Sequence, residues 1–166
     1  MKYTRAGGVS MNALERLEDE ACRDSIEIVH WDFESDRIKG LYCDGVIGIN
    51  SNLDNSNEEA CVLAEELGHH YTSYGNILDQ SITSNRKQEV LARTWAYNKM
   101  IGLSGIISCF ENGCRNRYEM AEHLGVTEKF LDDTIERYKG KYGPCACTGK
   151  YIIYFEPNLT VCKMIR

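Results

Sequence analysis

A chain of 166 residues with 43% apolar side chains is long enough to bury the core of one compact domain. Its 25 acidic residues against 19 basic ones leave a formal net charge of −6, which disfavours a general binder of nucleic acid or anionic membrane. No apolar run approaches the roughly 20 residues of a membrane span, and no secretory signal opens the chain, so the eight scattered cysteines read as reduced thiols, mostly buried.

Residues 1–10 carry two glycines and no periodicity, and Met11 is an alternative start; these residues are set aside from the fold as a leader. Asn12 to Arg23 predicts a short amphipathic helix with Leu14, Leu17 and Ala21 on one side. Ser25 to Trp31 alternates as a strand does, and Arg37 to Cys43 predicts a second. The Asp44-Gly45 pair turns directly into a third at Val46 to Asn50, a strong hairpin signal. The expectation is a small three-stranded antiparallel sheet. Its edge strand would lie beside the next helix and could hold an extended peptide by strand addition.

Asn57 followed by Glu58 and Glu59 predicts the cap and acidic first turn of a helix that runs to about Thr72. Residues 73–86 form a polar loop, and a second helix is expected from about Lys87 to Ile101. Gly102 to Ile107 reads as a connector. Arg117 to Leu124 and Thr127 to Tyr138 predict a helical hairpin joined at Gly125-Val126. Tyr151 to Phe155 and Thr160 to Ile165, around Pro157-Asn158, predict a terminal β-hairpin. The fold class expected is α+β: a core over residues 11–110, with the helical and β-hairpins of residues 111–166 packed on it.

The stretch from Cys61 to Tyr71 carries the chemistry. Glu65 and His69 are four residues apart, so they leave one helix face and can close on a single ion, with Glu66 on their flank. This is the layout of His-Glu-x-x-His, in which two ligands hold zinc and the glutamate between them handles the proton of water; here glutamate stands where the first histidine would. A carboxylate is an acceptable zinc ligand. Cys61, Ala64 and Gly68 line that face and leave room, while Leu63, Leu67, Tyr71 and Tyr74 make a separate stripe suited to a core. The pair Glu66/His70 has the same spacing, and the Glu-Leu-Gly-His order favours Glu65/His69, leaving His70 to support or pack. On the next helix Glu89, Ala92 and Ala96 share a face, and the small alanines let it approach the first. Glu89 is the third candidate ligand; spacing alone equally allows an exposed acid at a helix start. Cys145, Cys147 and Cys162 offer a weaker second metal set, since no C-x-x-C pair is present.

Glu65-Glu66-Leu67-Gly68-His69 together with Glu89-Val90-Leu91-Ala92-Arg93-Thr94-Trp95-Ala96 resembles the ImmA/IrrE metallopeptidases, especially a phage- and mobile-element-borne subgroup. The likeness extends through Arg37–Cys43 and Arg115–Glu119 and covers most of the chain from Met11 to about Gly143. The resemblance implies a zincin-like fold, with Glu65, His69 and Glu89 as metal ligands and Glu66 as general base. It further implies a cytoplasmic protease whose substrate is a helix-turn-helix repressor of a prophage or mobile element, an anti-repressor that touches neither nucleic acid nor membrane. Its oligomeric state is left open. Glu65 removes one unit of positive charge from the ion and its ligands compared with a second histidine. Water there is acidified less, so a slow, substrate-restricted protease with an alkaline optimum is expected. An oxygen-rich set also admits manganese or iron beside zinc.

Two readings compete with the protease. In one, the protein binds a repressor and displaces it without cutting, its metal site vestigial or structural. In the other, residues 117–138 read DNA, but Glu128, Asp132, Asp133 and Glu136 put a surface there that phosphates repel.

Overall fold

The computed structural model describes residues 11–73 and 83–165. The leader at residues 1–10, most of the expected polar loop and Tyr74 lie outside the described residues.

The first helix, α1 (Ala13–Arg23), starts on a capping box. Asn12 accepts from the Glu15 backbone while the Glu15 carboxylate accepts from Asn12. Strands β1 (Glu27–Trp31), β2 (Gly40–Cys43) and β3 (Val46–Asn50) follow. The expected hairpin is there: Asp44 and Gly45 both take positive φ, as a tight two-residue turn between antiparallel strands requires. The sheet as a whole is mixed, however, and this corrects the antiparallel expectation. Its order is β1-β3-β2, with β1 parallel to β3 and β2 antiparallel to it. The physical reason is burial. Ile47, Ile49 and Asn50 of β3 are almost wholly inaccessible, so β3 takes the centre, and residues 32–39 are long enough to carry the chain past it to the far edge.

Helix α2 (Ser56–Thr72) lies across this sheet and α1. Its cap is Asn55, which accepts from the Glu58 backbone; Asn57, expected in that role, sits inside the first turn and reaches Glu122 instead. Helix α3 (Thr83–Met100) begins four residues earlier than the periodicity implied and packs along α2. Residues 102–107, expected as a connector, belong to a helix, α4 (Gly102–Glu111). Gly102, Ser104 and Gly105 have loop-like composition. Burial of Ile106 and Cys109 overrides it, and Gly105 lets the Leu124 side chain approach to within 3.0 Å of where its Cβ would stand.

The expected helical hairpin is formed by α5 (Arg117–Leu124) and α6 (Glu128–Tyr142), joined through Gly125 at φ +68°, the left-handed cap that glycine favours. The terminal hairpin gains a strand. The chain ends in an antiparallel sheet of β4 (Cys145–Thr148), β5 (Tyr151–Tyr154) and β6 (Thr160–Lys163) in that order. A four-residue Cys-Ala-Cys-Thr segment gives little signal of a strand, and its pairing with β5 creates it.

One continuous core runs from Leu17, Ile47, Ile49, Leu63 and Leu67 through Ile106 to Leu131, Tyr138 and Ile153. Each of these large side chains contributes about 1.5–3 kcal/mol on leaving water. The architecture is α+β, as expected. Among the described residues no helix is long and apolar enough to cross a membrane.

Candidate metal centre

Helices α2 and α3 approach each other more closely than ordinary side chains allow. A Cβ on Gly68 would lie 2.3 Å from the Ala92 carbonyl oxygen, so glycine is required where the two backbones touch. Ala64, Ala92 and Ala96 are fully buried in the same seam. The small residues singled out in the sequence thus bring the two acid-bearing faces together.

On this seam His69 and Glu89 meet directly, His69 Nε2 lying 3.2 Å from Glu89 Oε2. The other ring nitrogen, Nδ1, is 3.0 Å from Ser73 Oγ, so the imidazole is held at both ends and Nε2 is turned toward α3. Glu89 uses its second oxygen to accept from Arg93 Nε at 2.7 Å, one turn along. Glu65 shares their field: its carboxyl feels Arg93, Glu89 and His69.

Electrostatics single out this cluster. Burial pushes the Glu65 carboxyl above the ordinary carboxylate range, with Arg93 and His69 pulling the other way. Burial also pushes Glu66 up, to about 7, with the negative charges of Glu65 and Glu89 adding to the shift and His69 opposing it. Glu89 is lowered, chiefly by its hydrogen bond with His69. Burial alone would lower His69, but the bond to Glu89 and the charges of Glu66, Glu89 and Glu65 together raise it. Three carboxylates held out of water around one imidazole and one guanidinium cost stability unless a positive charge repays it.

Glu66 faces the sheet. The Tyr42 backbone of β2 favours its charged form, and Gly40 lies directly beneath it, since a Cβ there would meet the Glu66 side chain at 2.9 Å. The acid is therefore placed where the site meets the edge strand. Next to it, His70 Nδ1 is 2.9 Å from the Tyr42 hydroxyl, and its ring packs edge-on against Tyr42 and Tyr71. That is the supporting place expected for His70. Tyr71, expected in a buried stripe, is instead 37% exposed; its ring lies tilted against Trp95 of α3 and its hydroxyl donates to Asp24 at the end of α1. Cys61, one turn before Glu65, is buried and accepts a weak hydrogen bond from the Thr127 backbone at 3.5 Å; its thiol is pushed up to about 11 chiefly by burial, with Glu65 adding to the shift.

Among the described residues no three acidic, histidine or cysteine side chains converge on one point. The tight contact joins His69 and Glu89, with Glu65 beside them. The donor chemistry nevertheless suits a divalent cation: one imidazole nitrogen pre-oriented by Ser73, and two carboxylates, one of them pushed up by burial in the way that a cation would reverse. Sequence reasoning did not find Tyr42, Ser73 or Arg93. Ser73 and Arg93 stand four residues after His69 and Glu89, a spacing that was there to be read. Tyr42 depends on how β2 lies against α2, which no local pattern carries. No curated protein and no solved structure matches the chain. The model of the IrrE N-terminal-like domain, peptidase M78, matches residues 23–136, a stretch that contains the whole of this cluster.

Proposed function

Because the chain belongs to the IrrE N-terminal-like peptidase family, we propose that it is a metal-dependent endopeptidase acting at the α2–α3 seam and that its substrate is a helix-turn-helix repressor protein. Glu65, His69 and Glu89 would hold the ion, zinc in the first instance, with manganese or iron admitted by the oxygen-rich set. When bound, such an ion polarises the scissile carbonyl and acidifies a water molecule.

The protein's own groups do the rest. Glu66 takes the proton of the attacking water and delivers it to the leaving amine. A carboxyl whose affinity for a proton lies near neutrality suits both halves of that transfer. Ser73 fixes the His69 ring, and Arg93 fixes Glu89 through the oxygen that does not face His69. Strand β2 is an edge strand, and its Gly40 lies against Glu66, so a substrate segment extended along that edge would pass beside the acid.

The observation that carries this reading is the meeting of His69 and Glu89 from separate helices, with Glu66 at the neighbouring strand edge. The anti-repressor role rests on the resemblance of the Glu65–His69 and Glu89–Ala96 motifs to that subgroup. Metal analysis of the purified chain and of His69→Ala, without added metal or chelator, is the test. About one ion per chain in the wild type, lost from the variant, is the expected result. A wild type that takes up no ion even when zinc is supplied would overturn it, and the reading as a repressor-binding protein that does not cut would replace it.

A further inference from the structure

Helix α4 ends in a way that pairs two cysteines. Gly113, at φ +74°, donates to the Phe110 carbonyl at 3.1 Å, and Cys114 donates to the Cys109 carbonyl at 3.0 Å. These two bonds form the Schellman ending of a helix, in which the third residue from the end and the second residue beyond it make a side-chain contact. Ordinarily that contact is between two apolar residues. Here both partners are cysteines, brought together by these backbone bonds.

Backbone geometry then sets the separation. With N and O of the two residues 3.0 Å apart, their α-carbons are at most roughly 7 Å apart by covalent dimensions. Disulfides usually span about 4.4–6.8 Å between α-carbons. The two thiols also differ in kind. Cys109 is 1% exposed and donates weakly to the Met120 carbonyl, and burial raises its thiol to about 12, so it stays protonated and unreactive toward solvent. Cys114 is only half-buried, so part of its surface meets solvent. By contrast, Cys147 and Cys162 face one side of the terminal sheet on either side of Ile152, two strand spacings or about 9.5 Å apart, too far to join.

We propose that Cys109 and Cys114 are a redox modification site, closed to an intramolecular disulfide by a peroxide or by a small-molecule disulfide. With hydrogen peroxide, the Cys114 sulfur attacks one oxygen, the O–O bond breaks, a sulfenic acid forms, and the departing hydroxide takes up the thiol proton as water. The Cys109 sulfur then displaces the sulfenic oxygen, and its proton leaves with that oxygen as water. Two thiols and one peroxide give one disulfide and two waters. With oxidised glutathione, Cys114 forms a mixed disulfide, Cys109 displaces the glutathione, and two molecules of reduced glutathione are released.

The experiment uses the full chain in its native state, oxidised separately with hydrogen peroxide and with oxidised glutathione, then alkylated in denaturant and digested with trypsin. Cleavage after Lys99 and after Arg115 releases residues 100–115, which contain Cys109 and Cys114 and no other cysteine. The expected product is that peptide about 2 Da lighter and resistant to alkylation, with Cys22 and Cys43 left as separate thiols or adducts. In Cys114→Ser, Cys109 is expected to survive oxidant and to be alkylated once unfolded. A stable glutathione adduct on Cys114 beside an alkylatable Cys109 would overturn the proposal. So would a Cys109 that is oxidised as fast in Cys114→Ser as in the wild type.

Discussion

The α2–α3 seam and the α6–terminal-sheet region are both interior, and they are built on opposite terms. In the seam, Glu65, Glu66, His69, Glu89 and Arg93 are drawn partly out of water, and every one of them titrates away from its ordinary range. In the other region the interior is neutral. Tyr138, Tyr142 and Phe155 pack ring to ring, Thr134 donates to the Phe130 carbonyl, Tyr138 donates to Asn98, and charge is confined to rim pairs such as Lys139 with Glu156. Desolvating charge costs free energy, whereas burying aromatic and aliphatic surface supplies it. The C-terminal packing thus supports a seam that would not be chosen for stability alone, which is the pattern of a site whose chemistry is worth its strain.

The comparison is broken most sharply by removing the proton-handling group while keeping its shape. Glu66→Gln keeps the shape of the side chain and loses its proton affinity. Cleavage of a substrate that the wild type cuts is expected to fall by about 10²–10⁴-fold, with metal content unchanged. Full activity in that variant would end the role given to Glu66. The mirror-image change is Leu131→Ala, at a fully buried position of α6. It is expected to cost about 2–5 kcal/mol in denaturant unfolding while leaving metal content per folded chain as it was. Loss of metal from that folded variant would show that the two regions are not separable.

The neutral region was the more legible of the two in its helices, the charged one in its residues. Helical spacing carried α5 and α6 and the Gly125 join, because apolar periodicity and a glycine cap are local signals. The seam residues stood out because Glu65/His69 and Glu89 fall at ligand spacing and are flanked by Ala and Gly. What was not legible depends on partners distant in sequence. The central place of β3 and its parallel pairing with β1 follow from competition for burial among three strands. Helix α4 exists because Ile106 and Cys109 find a core, and β4 exists because β5 is there to pair with it. The contact of Glu66 with Gly40 and of His70 with Tyr42 follows from the placement of an edge strand on a helix.

A pH titration of stability sharpens the contrast. Glu66 has a folded-state affinity for protons near pH 7 against an ordinary value of 4.5, so the folded chain binds this proton more tightly than the unfolded chain does. Stability of the metal-free protein is therefore greatest below about pH 4.5 as far as this group is concerned, and falls as pH rises through the window to about 7. The loss amounts to about 3 kcal/mol by the linkage relation. Glu66→Gln is expected to be the more stable protein at pH 8 when metal-free, with the difference shrinking toward pH 5. Parallel stability curves for the two proteins would contradict the burial of that charge.

Gly68→Ala tests the seam by size rather than charge. The added methyl has the Ala92 carbonyl oxygen 2.3 Å away, a backbone atom that cannot rotate aside, so α2 and α3 must part. A destabilisation of about 1–3 kcal/mol is expected, and with it weaker metal retention, since Glu89 moves with α3. The same change at Gly140, on the exposed side of α6 where a Cβ meets nothing within 4 Å, is expected to be neutral or mildly stabilising. Equal effects at the two glycines would mean that the close approach does not govern the site.

The smallest effect is expected where the two regions are alike. Asn55 caps α2 by accepting from the Glu58 backbone at 3.0 Å, and Thr127 caps α6 by accepting from the Phe130 backbone at 3.1 Å. Each side chain satisfies an amide that the first turn leaves without a partner, and neither reaches the acid cluster. Alanine at either position should cost about 1 kcal/mol in denaturant unfolding. Metal content is expected to be unchanged in both, because a frayed first turn of α2 still leaves Glu65 more than two turns downstream. If Asn55→Ala alone released the ion, the charge held in the seam would be propagating along α2 to its end, and the boundary between the two regions would have to be drawn at the cap rather than at Gly68.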